Sequence, residues 1–307
     1  MHLQIKQADI GYHQPLISNA EAGLKSGEVC LLIGNNGVGK TTLIRSLLHQ
    51  VPLLNGEILL GGRSVKQFSA REIAEHIAVV YSKPVLPQHH TVEDLIALGK
   101  YIYYPYYFEL TRKDREEISH TIDMLGMDRY RHTSLKNLSD GNLQKAFIGR
   151  AITQNSPVII LDEPTTHLDE KNKINILQTL RRLAHEQNKI ILFSSHDWRL
   201  AKEFADKIWY IKEGRLYSGM VEDVLIQHGE LTRASIFRIS EHFKAPVIEA
   251  PHIHKEMLFS LLQKNFPQDL SGYHFTHKRT HWVIRNNETR KECESFEEIF
   301  NFMKNIH

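Results

Sequence analysis

Runs of consecutive apolar residues alternate along the chain with stretches in which apolar positions recur every three or four residues. An uninterrupted apolar run is typical of a strand that is buried on both faces of a parallel sheet. Such runs occupy residues 29–33, 77–81 and 158–161, and one more follows Lys189 in the predicted strand 189–193. Helical stretches follow at residues 42–48, 70–76 and 171–186. This order predicts an α/β fold.

Other patterns flank and interrupt this core. Residues 3–10 alternate between apolar and polar positions, which predicts an edge strand, and residues 208–217 predict a closing hairpin. A mostly helical region covers about 83–152. In it, Thr91 is placed to cap one helix, and a longer helix is expected at about 111–125. The predicted order is α/β core, helical insertion and α/β core again.

The pattern changes once more beyond about residue 240. Residues 244–251 are typical of an extended linker. The elements expected after it are helices at 252–264 and 295–305 and a strand pair at 273–275 and 282–284. We therefore predict a first domain over residues 1–240 and a small C-terminal α+β module of unknown role over 246–307.

Composition limits the classes of protein that need to be considered. The chain has 307 residues, 41% hydrophobic and 24% charged, with a net charge of +2, so no nucleic-acid partner is expected. The two cysteines, Cys30 in a predicted buried strand and Cys293, argue against a disulfide framework and fit a reducing compartment. We find no signal-peptide pattern and no apolar run near the ~20 residues that span a bilayer, so work at a membrane would need a partner.

A phosphate-binding loop is predicted between the run at 29–33 and the helix that follows it. Its pattern is a glycine, four residues, and then Gly-Lys-Thr. The residues are Gly34, Asn35, Asn36, Gly37, Val38, Gly39, Lys40, Thr41 and then Thr42. Glycines let successive backbone N–H groups converge on one anion, and a helix N-terminus adds its dipole. Lys40 would reach the β- and γ-phosphates, and the Thr41 hydroxyl would hold Mg²⁺.

Two acids follow the predicted strand at 158–161. An acid at the end of such a strand holds Mg²⁺ in nucleotide hydrolases, and a second acid beside it can polarise the attacking water. We assign the metal role to Asp162 and the base role to Glu163. Taken alone, the pair could equally cap a helix; the phosphate loop makes that alternative unlikely.

Two further segments have both a binding and a structural interpretation. Ser139, Asp140 and Gly141 open a predicted helix, where they form either a second anion site or a simple helix cap. Tyr12 is an aromatic residue in a predicted turn ahead of the phosphate loop. It can stack on a flat base or pack within the turn.

The order of these pieces resembles the ATP-binding subunits of ABC transporters. The matching segments are the phosphate loop, the signature segment 138–142, the acid-bearing strand 158–164, the segment 166–169 with Thr166 and His167, and the switch histidine segment 194–197. The resemblance covers about residues 1–240. It implies a P-loop NTPase fold of ABC type: a RecA-like core, an N-terminal antiparallel β part and the helical subdomain at about 83–152.

The resemblance also implies roles for individual residues. Tyr12 would stack on adenine, and residues 34–42 would bind the phosphates of ATP and its Mg²⁺. Glu163 would activate water, and His196 would hold the γ-phosphate and that water. Ser139 and Gly141 would complete the nucleotide site of the other subunit, so the resemblance implies a homodimer.

Two positions depart from the family pattern. Where the family has glutamine as a further metal and coupling contact, this chain has Ser82, a shorter side chain. The metal set implied for Mg²⁺ is therefore Thr41, Asp162 and Ser82. The signature segment has Asp140 where glycine is usual, which brings negative charge towards a phosphate.

Residues 91–100 with the Tyr/Pro-rich stretch at 101–108, and residues 165–169, resemble importers of ferric siderophores, haem and cobalamin. That branch implies a peripheral protein at the cytoplasmic face of the cell membrane. Its partners would be a separate permease and, indirectly, a periplasmic or surface substrate-binding protein.

Two alternatives stay open from the sequence. The first is a soluble ABC-type ATPase that acts on ribosomes or DNA. The second is a regulatory nucleotide-binding module without meaningful turnover. In the C-terminal module, His252, His254, His274, His277 and His281 suggest either solvated polar residues, the favoured interpretation, or a metal site.

Overall fold

The structure is a computed structural model of the whole chain. It describes residues 1–82, 84–104, 109–166, 168–197, 199–228, 243–266, 268–286 and 289–306, without the side chains of 201, 202, 260 and 264. His167 and residues 105–108, which contributed to the family resemblance, lie outside the described residues. The chain divides into two compact units, Met1–Gly229 and Glu230–His307. The boundary predicted between 240 and 246 stays a prediction, because residues 229–242 are not described.

The first unit follows the predicted α/β order. Its strands are β1 (His2–Gly11), β2 (Pro15–Lys25), β3 (Val29–Ile33), β4 (Asn55–Leu60), β5 (Arg63–Ser64), β6 (Ile77–Val80), β7 (Val158–Leu161), β8 (Ile190–Ser195), β9 (Lys207–Lys212) and β10 (Arg215–Met220). Its α-helices are α1 (Lys40–Leu47), α2 (Ala70–His76), α3 (Val92–Ala97), α4 (Arg112–Met124), α5 (Asp140–Thr153), α6 (Glu170–Gln187), α7 (Arg199–Phe204) and α8 (Val221–Gln227).

A six-stranded sheet forms the centre of the unit, in the order β10-β9-β3-β8-β7-β6. The pairs from β9 to β6 are parallel, and β10 closes the sheet as the antiparallel partner of β9, as the predicted hairpin requires. Strands β3, β7 and β8 are buried along their whole length, which explains why their sequences are continuous apolar runs apart from the two serines that end β8. The carboxyl ends of these three strands lie together at one end of the sheet, where the candidate site is found.

A second sheet, β2-β1-β4-β5, corrects one prediction. Residues 3–10 lie in β1, but β1 is not an edge strand, because it pairs with β2 on one side and β4 on the other. The edge is β2, whose sequence Pro15–Lys25 has small and polar residues that hide its strand character. Strand β1 alternates because one face of this sheet is buried and the other is exposed.

The helical region between β6 and β7 begins its helices where the sequence indicates. Thr91 and Thr111 cap α3 and α4, and each forms a capping box with the aspartate three residues later. Ser139 caps α5. Among the described residues, no helix combines the length and apolar composition needed to cross a membrane.

The second unit has a hydrophobic core of its own. Its elements are β11 (Val247–Glu249), α9 (His252–Asn265), β12 (His274–Lys278), β13 (His281–Arg285), β14 (Arg290–Cys293) and α10 (Phe296–Ile306). Both helices and the sheet β11-β12-β13-β14 contribute to the core, as Leu262, Phe275, Trp282 and Met303 show. The linker predicted at 244–251 contains β11, which pairs in parallel with β12, and β14 was not predicted. Both strands are too short to show a period in the sequence.

Candidate nucleotide-binding site

The phosphate loop connects β3 to α1 with its glycines in the conformations that the motif requires. Gly39 is the N-cap of α1, with φ 110°, and it leaves the first turn without any side-chain cap. A Cβ at Gly34 would lie 2.7 Å from Cγ2 of Val38 and 3.0 Å from the Ile211 carbonyl oxygen. The helix begins at Lys40, two residues before the predicted start. Uncapped N–H groups at this position suit an anion.

Lys40 is buried within this loop, with 7% of its surface exposed. Its Nζ donates hydrogen bonds to the carbonyl oxygens of Gly34, at 2.7 Å, and Asn35, at 3.1 Å. Burial lowers the pKa of Lys40, and the charges of Glu163 and Asp162 oppose that shift. The two carboxylates therefore help to keep an ammonium group charged beside the loop amides.

Asp162 links the phosphate loop to the sheet. Its Oδ2 accepts a hydrogen bond from the Thr41 hydroxyl at 3.0 Å, and its Oδ1 accepts one from the Ser194 hydroxyl at 2.7 Å. Asp162 is 3% exposed and comes directly after β7, while Ser194 belongs to the neighbouring strand β8. A carboxylate beside a hydroxyl is an oxygen donor set that suits Mg²⁺.

Glu163 and His196 lie together at the same edge. Nε2 of His196 is 2.5 Å from Oε1 of Glu163, and both side chains are partly open to solvent, at 47% and 26%. The backbone of Glu163 has φ 53°, a left-handed conformation that few residues other than glycine adopt. Its N–H donates to the Ser194 hydroxyl at 2.8 Å. A carboxylate within reach of a histidine and of solvent can accept a proton from water.

Tyr12 and Ser82 flank these residues. Tyr12 lies in the turn between β1 and β2 with 53% of its surface exposed, and its hydroxyl is 3.4 Å from Nη1 of Arg45 on α1. Ser82 follows β6, the strand beside β7, and the Asp162 N–H donates to the Val80 carbonyl oxygen at 2.8 Å. Ser82 is thus two residues beyond Val80, the residue that Asp162 contacts, and it lies at the same end of the sheet.

The signature segment lies apart from the acid pair. Ser139 caps α5 by accepting a hydrogen bond from the Asn142 N–H at 3.4 Å, and Asp140 is exposed in the first turn. Here the described residues surround a cavity of about 540 Å³. It is lined by Arg129, Ser139, Asp140, Gly141, Asn142, Leu168, Asp169 and Asn172. The phosphate loop and the acid pair do not belong to this lining.

Comparison with known proteins identifies the family. Residues 17–166 match the ABC transporter family. The petrobactin import ATP-binding protein FpuD of Bacillus anthracis is 31% identical over 225 residues, which are 73% of this chain and 82% of that protein. The chain belongs to the ATP-binding proteins of ABC transporters. A second relative, the iron(3+)-hydroxamate import ATP-binding protein FhuC of Bacillus subtilis, is 31% identical over 73% of this chain and 86% of its own.

Solved structures of ABC ATPases confirm the predicted fold. An ATP-binding subunit of an ABC transporter superposes with a TM-score of 0.67 at 24% identity, over 77% of this chain and 96% of that one. A dimeric cassette, MJ0796, superposes with a TM-score of 0.65 at 23% identity, over 71% of this chain and 98% of that one. These structures confirm the P-loop NTPase fold that the sequence predicted. With the family match and the relatives above, the chain is an ABC-type ATPase.

Ser194 is the residue of this ABC ATPase that the sequence analysis missed. It was included in the switch histidine segment without a role, yet it contacts both members of the acid pair. A signal was present: β8 runs Ile-Ile-Leu-Phe and then ends in two serines. A hydroxyl in a buried strand needs a hydrogen-bond partner, and the acids after β7 were the available ones.

Two histidines of the second unit, His254 and His277, pack against each other and against Trp282, whereas His252 and His274 are exposed. The rings of His254 and His277 are 4.3 Å apart, and the Trp282 ring is 4.8 Å from His277. The pKa of His277 is lowered, first by loss of solvation and then by the charges of His254 and His281. Within the described residues, no group of three or more His, Cys, Asp or Glu side chains is arranged to hold a metal.

Proposed function

We propose that two copies of this chain act together at the cytoplasmic face of the membrane, where ATP hydrolysis powers import through a separate permease. The hydrolytic part depends on one observation, the continuous contact from Thr41 through Asp162 and Ser194 to Glu163, with His196 beside it. The import part depends on relatives that are named as import proteins for petrobactin and for iron(3+)-hydroxamate. An iron-siderophore cargo follows from those names, with haem and cobalamin as other cargoes of the same type.

The phosphate loop binds the triphosphate of ATP in this proposal. The N–H groups of Asn35, Asn36, Gly37, Val38, Gly39, Lys40, Thr41 and Thr42 surround the anion, and the Lys40 ammonium neutralises part of its charge. Tyr12 stacks on the adenine, since its ring is exposed and its hydroxyl lies beside Arg45 in the last turn of α1. Support comes from the first turn of α1, which has no side-chain capping group.

Thr41 and Asp162 hold Mg²⁺, with Ser82 as a further oxygen ligand. Bound there, the ion neutralises charge on the phosphates. Asp162 is suited to this role because it is buried and its two oxygens are each held by a hydroxyl. Ser82 follows the neighbouring strand β6 at the same end of the sheet, so its hydroxyl can contact the ion directly or through water.

Glu163 orients and deprotonates the attacking water, and His196 keeps Glu163 in place and contacts the γ-phosphate. The 2.5 Å distance between Nε2 of His196 and Oε1 of Glu163 supports these two roles. A histidine that contacts both the base and the γ-phosphate can respond to the presence of that phosphate. Loss of the γ-phosphate then removes a contact from His196, which ties the chemistry to a conformational change.

Ser139 and Gly141 complete the site of the partner subunit. The cavity in front of the signature segment has no phosphate-loop residue in its lining, so this segment needs a nucleotide from elsewhere. ATP between two chains would close them, and hydrolysis would reopen them, which is the two-state element that a permease can use.

The alternative is a regulatory or soluble ABC module without a permease. Asp140 favours it, because a carboxylate in the first turn of α5 opposes a phosphate at that helix end. The relatives named as import proteins favour the transporter.

Affinity purification of the tagged chain from membranes in mild detergent tests the proposal. We expect a multi-spanning permease to co-purify and, through it, a substrate-binding protein that indicates the cargo. An untagged strain controls for carry-over. Recovery of ribosomes or nucleic acid in place of a permease would contradict import. Phosphate release no faster than that of the Glu163→Gln variant, with the permease present, would contradict the hydrolytic role.

A further inference from the structure

Ser194 places a hydroxyl group inside an apolar strand. It is the fifth residue of β8, follows four buried apolar residues, and has no exposed surface. Burying a hydroxyl is unfavourable unless it finds hydrogen-bond partners. Both of its partners here belong to the acid pair after β7.

The two hydrogen bonds of Ser194 have defined directions. Its hydroxyl donates to Oδ1 of Asp162 at 2.7 Å and accepts the N–H of Glu163 at 2.8 Å. Thr41 donates to the other oxygen, Oδ2, at 3.0 Å. Each Asp162 oxygen therefore has its own hydroxyl, and the carboxylate cannot turn without losing one of them.

Glu163 needs this support more than most residues. Its φ of 53° is strained for a residue other than glycine, so neighbouring contacts must offset the strain. Ser194 holds the N–H side of the residue, and Thr166 holds the carbonyl side through its N–H, at 3.4 Å, and its hydroxyl, at 3.2 Å. The backbone conformation in turn sets the direction in which the Glu163 carboxylate leaves the chain.

We propose that Ser194 is a positioning residue for ATP hydrolysis. It fixes the Asp162 carboxylate towards Thr41 and the Glu163 carboxylate towards His196, through one shared hydroxyl. The inference depends on the proposed function, in which Asp162 holds the metal and Glu163 acts on water. The hydrogen bonds of Lys40 go to Gly34 and Asn35 and do not involve Ser194, so metal-free nucleotide binding is independent of it.

The test compares Ser194→Ala with Ser156→Ala. Ser156 is an equally buried serine just before β7, at the opposite end of the sheet, and it also has two bonds, from Gln154 Nε2 at 3.2 Å and to the Ala74 carbonyl oxygen at 3.1 Å. Both substitutions should lower Tm by similar amounts. Only Ser194→Ala should lower kcat, by about 10- to 100-fold, with KM for ATP within about threefold of wild type. Ser194→Thr, which keeps the hydroxyl, should recover most of the loss.

A binding measurement gives a readout that does not depend on turnover. The affinity for a fluorescent ATP analogue in EDTA should be the same in wild type and in both alanine variants, whereas the gain in affinity on adding Mg²⁺ should shrink only in Ser194→Ala. An unchanged Mg²⁺ effect, or a kcat within twofold of Ser156→Ala, would overturn the proposal. Wild-type turnover no faster than Glu163→Gln would contradict the proposed function, and the Mg²⁺ effect on binding would still decide the role of Ser194.

Discussion

The two ends of the parallel sheet are built from similar parts. At the carboxyl end, Lys40 and Ser194 are buried beside the acid pair. At the amino end, Lys189 and Ser156 are buried between the starts of β7 and β8, where Lys189 Nζ donates to the Asn155 side-chain oxygen at 2.7 Å and to the Ser156 carbonyl oxygen at 3.1 Å.

The difference lies in the charged groups nearby, because both lysines donate their hydrogen bonds to neutral oxygens. At the amino end, burial lowers the pKa of Lys189 to about 8, with a further contribution from Lys100. At the carboxyl end, Glu163 and Asp162 oppose the effect of burial on Lys40. We infer that Lys189 serves structure, whereas Lys40, which two nearby carboxylates help to keep charged, is available for a phosphate.

Removing the base should have the largest effect on the carboxyl end. In Glu163→Gln, steady-state phosphate release should fall about a thousandfold, because general-base catalysis contributes roughly 10²- to 10⁴-fold. ATP affinity should change little, since the amide keeps the shape of the side chain. Phosphate release and ATP binding measured on the same preparation check this; activity within tenfold of wild type would show that another group activates water.

Replacing each buried lysine with methionine tests directly whether the two ends of the sheet differ in their contribution to ATP binding. Lys40→Met should weaken ATP binding about 100-fold, because a charge-assisted hydrogen bond to phosphate contributes roughly 1.5–3 kcal/mol. Lys189→Met is the matched control and should leave ATP affinity within about twofold. Titration with a fluorescent ATP analogue measures both. Equal losses would mean that the amino end also communicates with the nucleotide.

Stability should depend on pH through Lys189. Its pKa is about 8 in the folded protein against an ordinary value of 10.5, so the unfolded chain binds more protons between these values and stability rises with pH there. Between pH 7 and pH 9.5, wild type should gain about 2 kcal/mol of unfolding free energy relative to Lys189→Met. Denaturant unfolding of both proteins at each pH measures the difference. A constant difference would contradict the shifted pKa.

The smallest effect is expected away from the sheet, at the signature segment. Asp140→Gly and Asp140→Asn should both raise phosphate release about fivefold, since removing one exposed charge near a phosphate contributes about 1 kcal/mol. The two variants separate charge from backbone freedom. If only the glycine variant is faster, then helix geometry rather than charge limits turnover.

Sequence patterns were sufficient to predict features that depend on residues close together in the chain. The buried strands β3 and β7 and the first four residues of β8 are continuous apolar runs, and the caps Thr91 and Ser139 precede their helices directly. The phosphate loop was recognisable because its glycines have a fixed spacing.

Features that depend on long-range pairing were not predictable in this way. Strand β1 alternates like an edge strand, but β4, more than forty residues later, covers its second side. Ser194 contacts residues about thirty positions away, and its role appears only once β7 and β8 lie side by side. Likewise, the proximity of Lys189 to Ser156 follows from strand pairing and not from any spacing in the sequence.

The left-handed backbone conformation of Glu163 lowers the stability of the fold, although the side chain of Glu163 is needed for the proposed chemistry. A glycine at φ 53° is free of the steric cost that glutamate bears there, so Glu163→Gly should raise the unfolding free energy by about 1 kcal/mol, as denaturant unfolding would show, while removing the base. Selection for heat resistance alone would therefore favour an inactive protein.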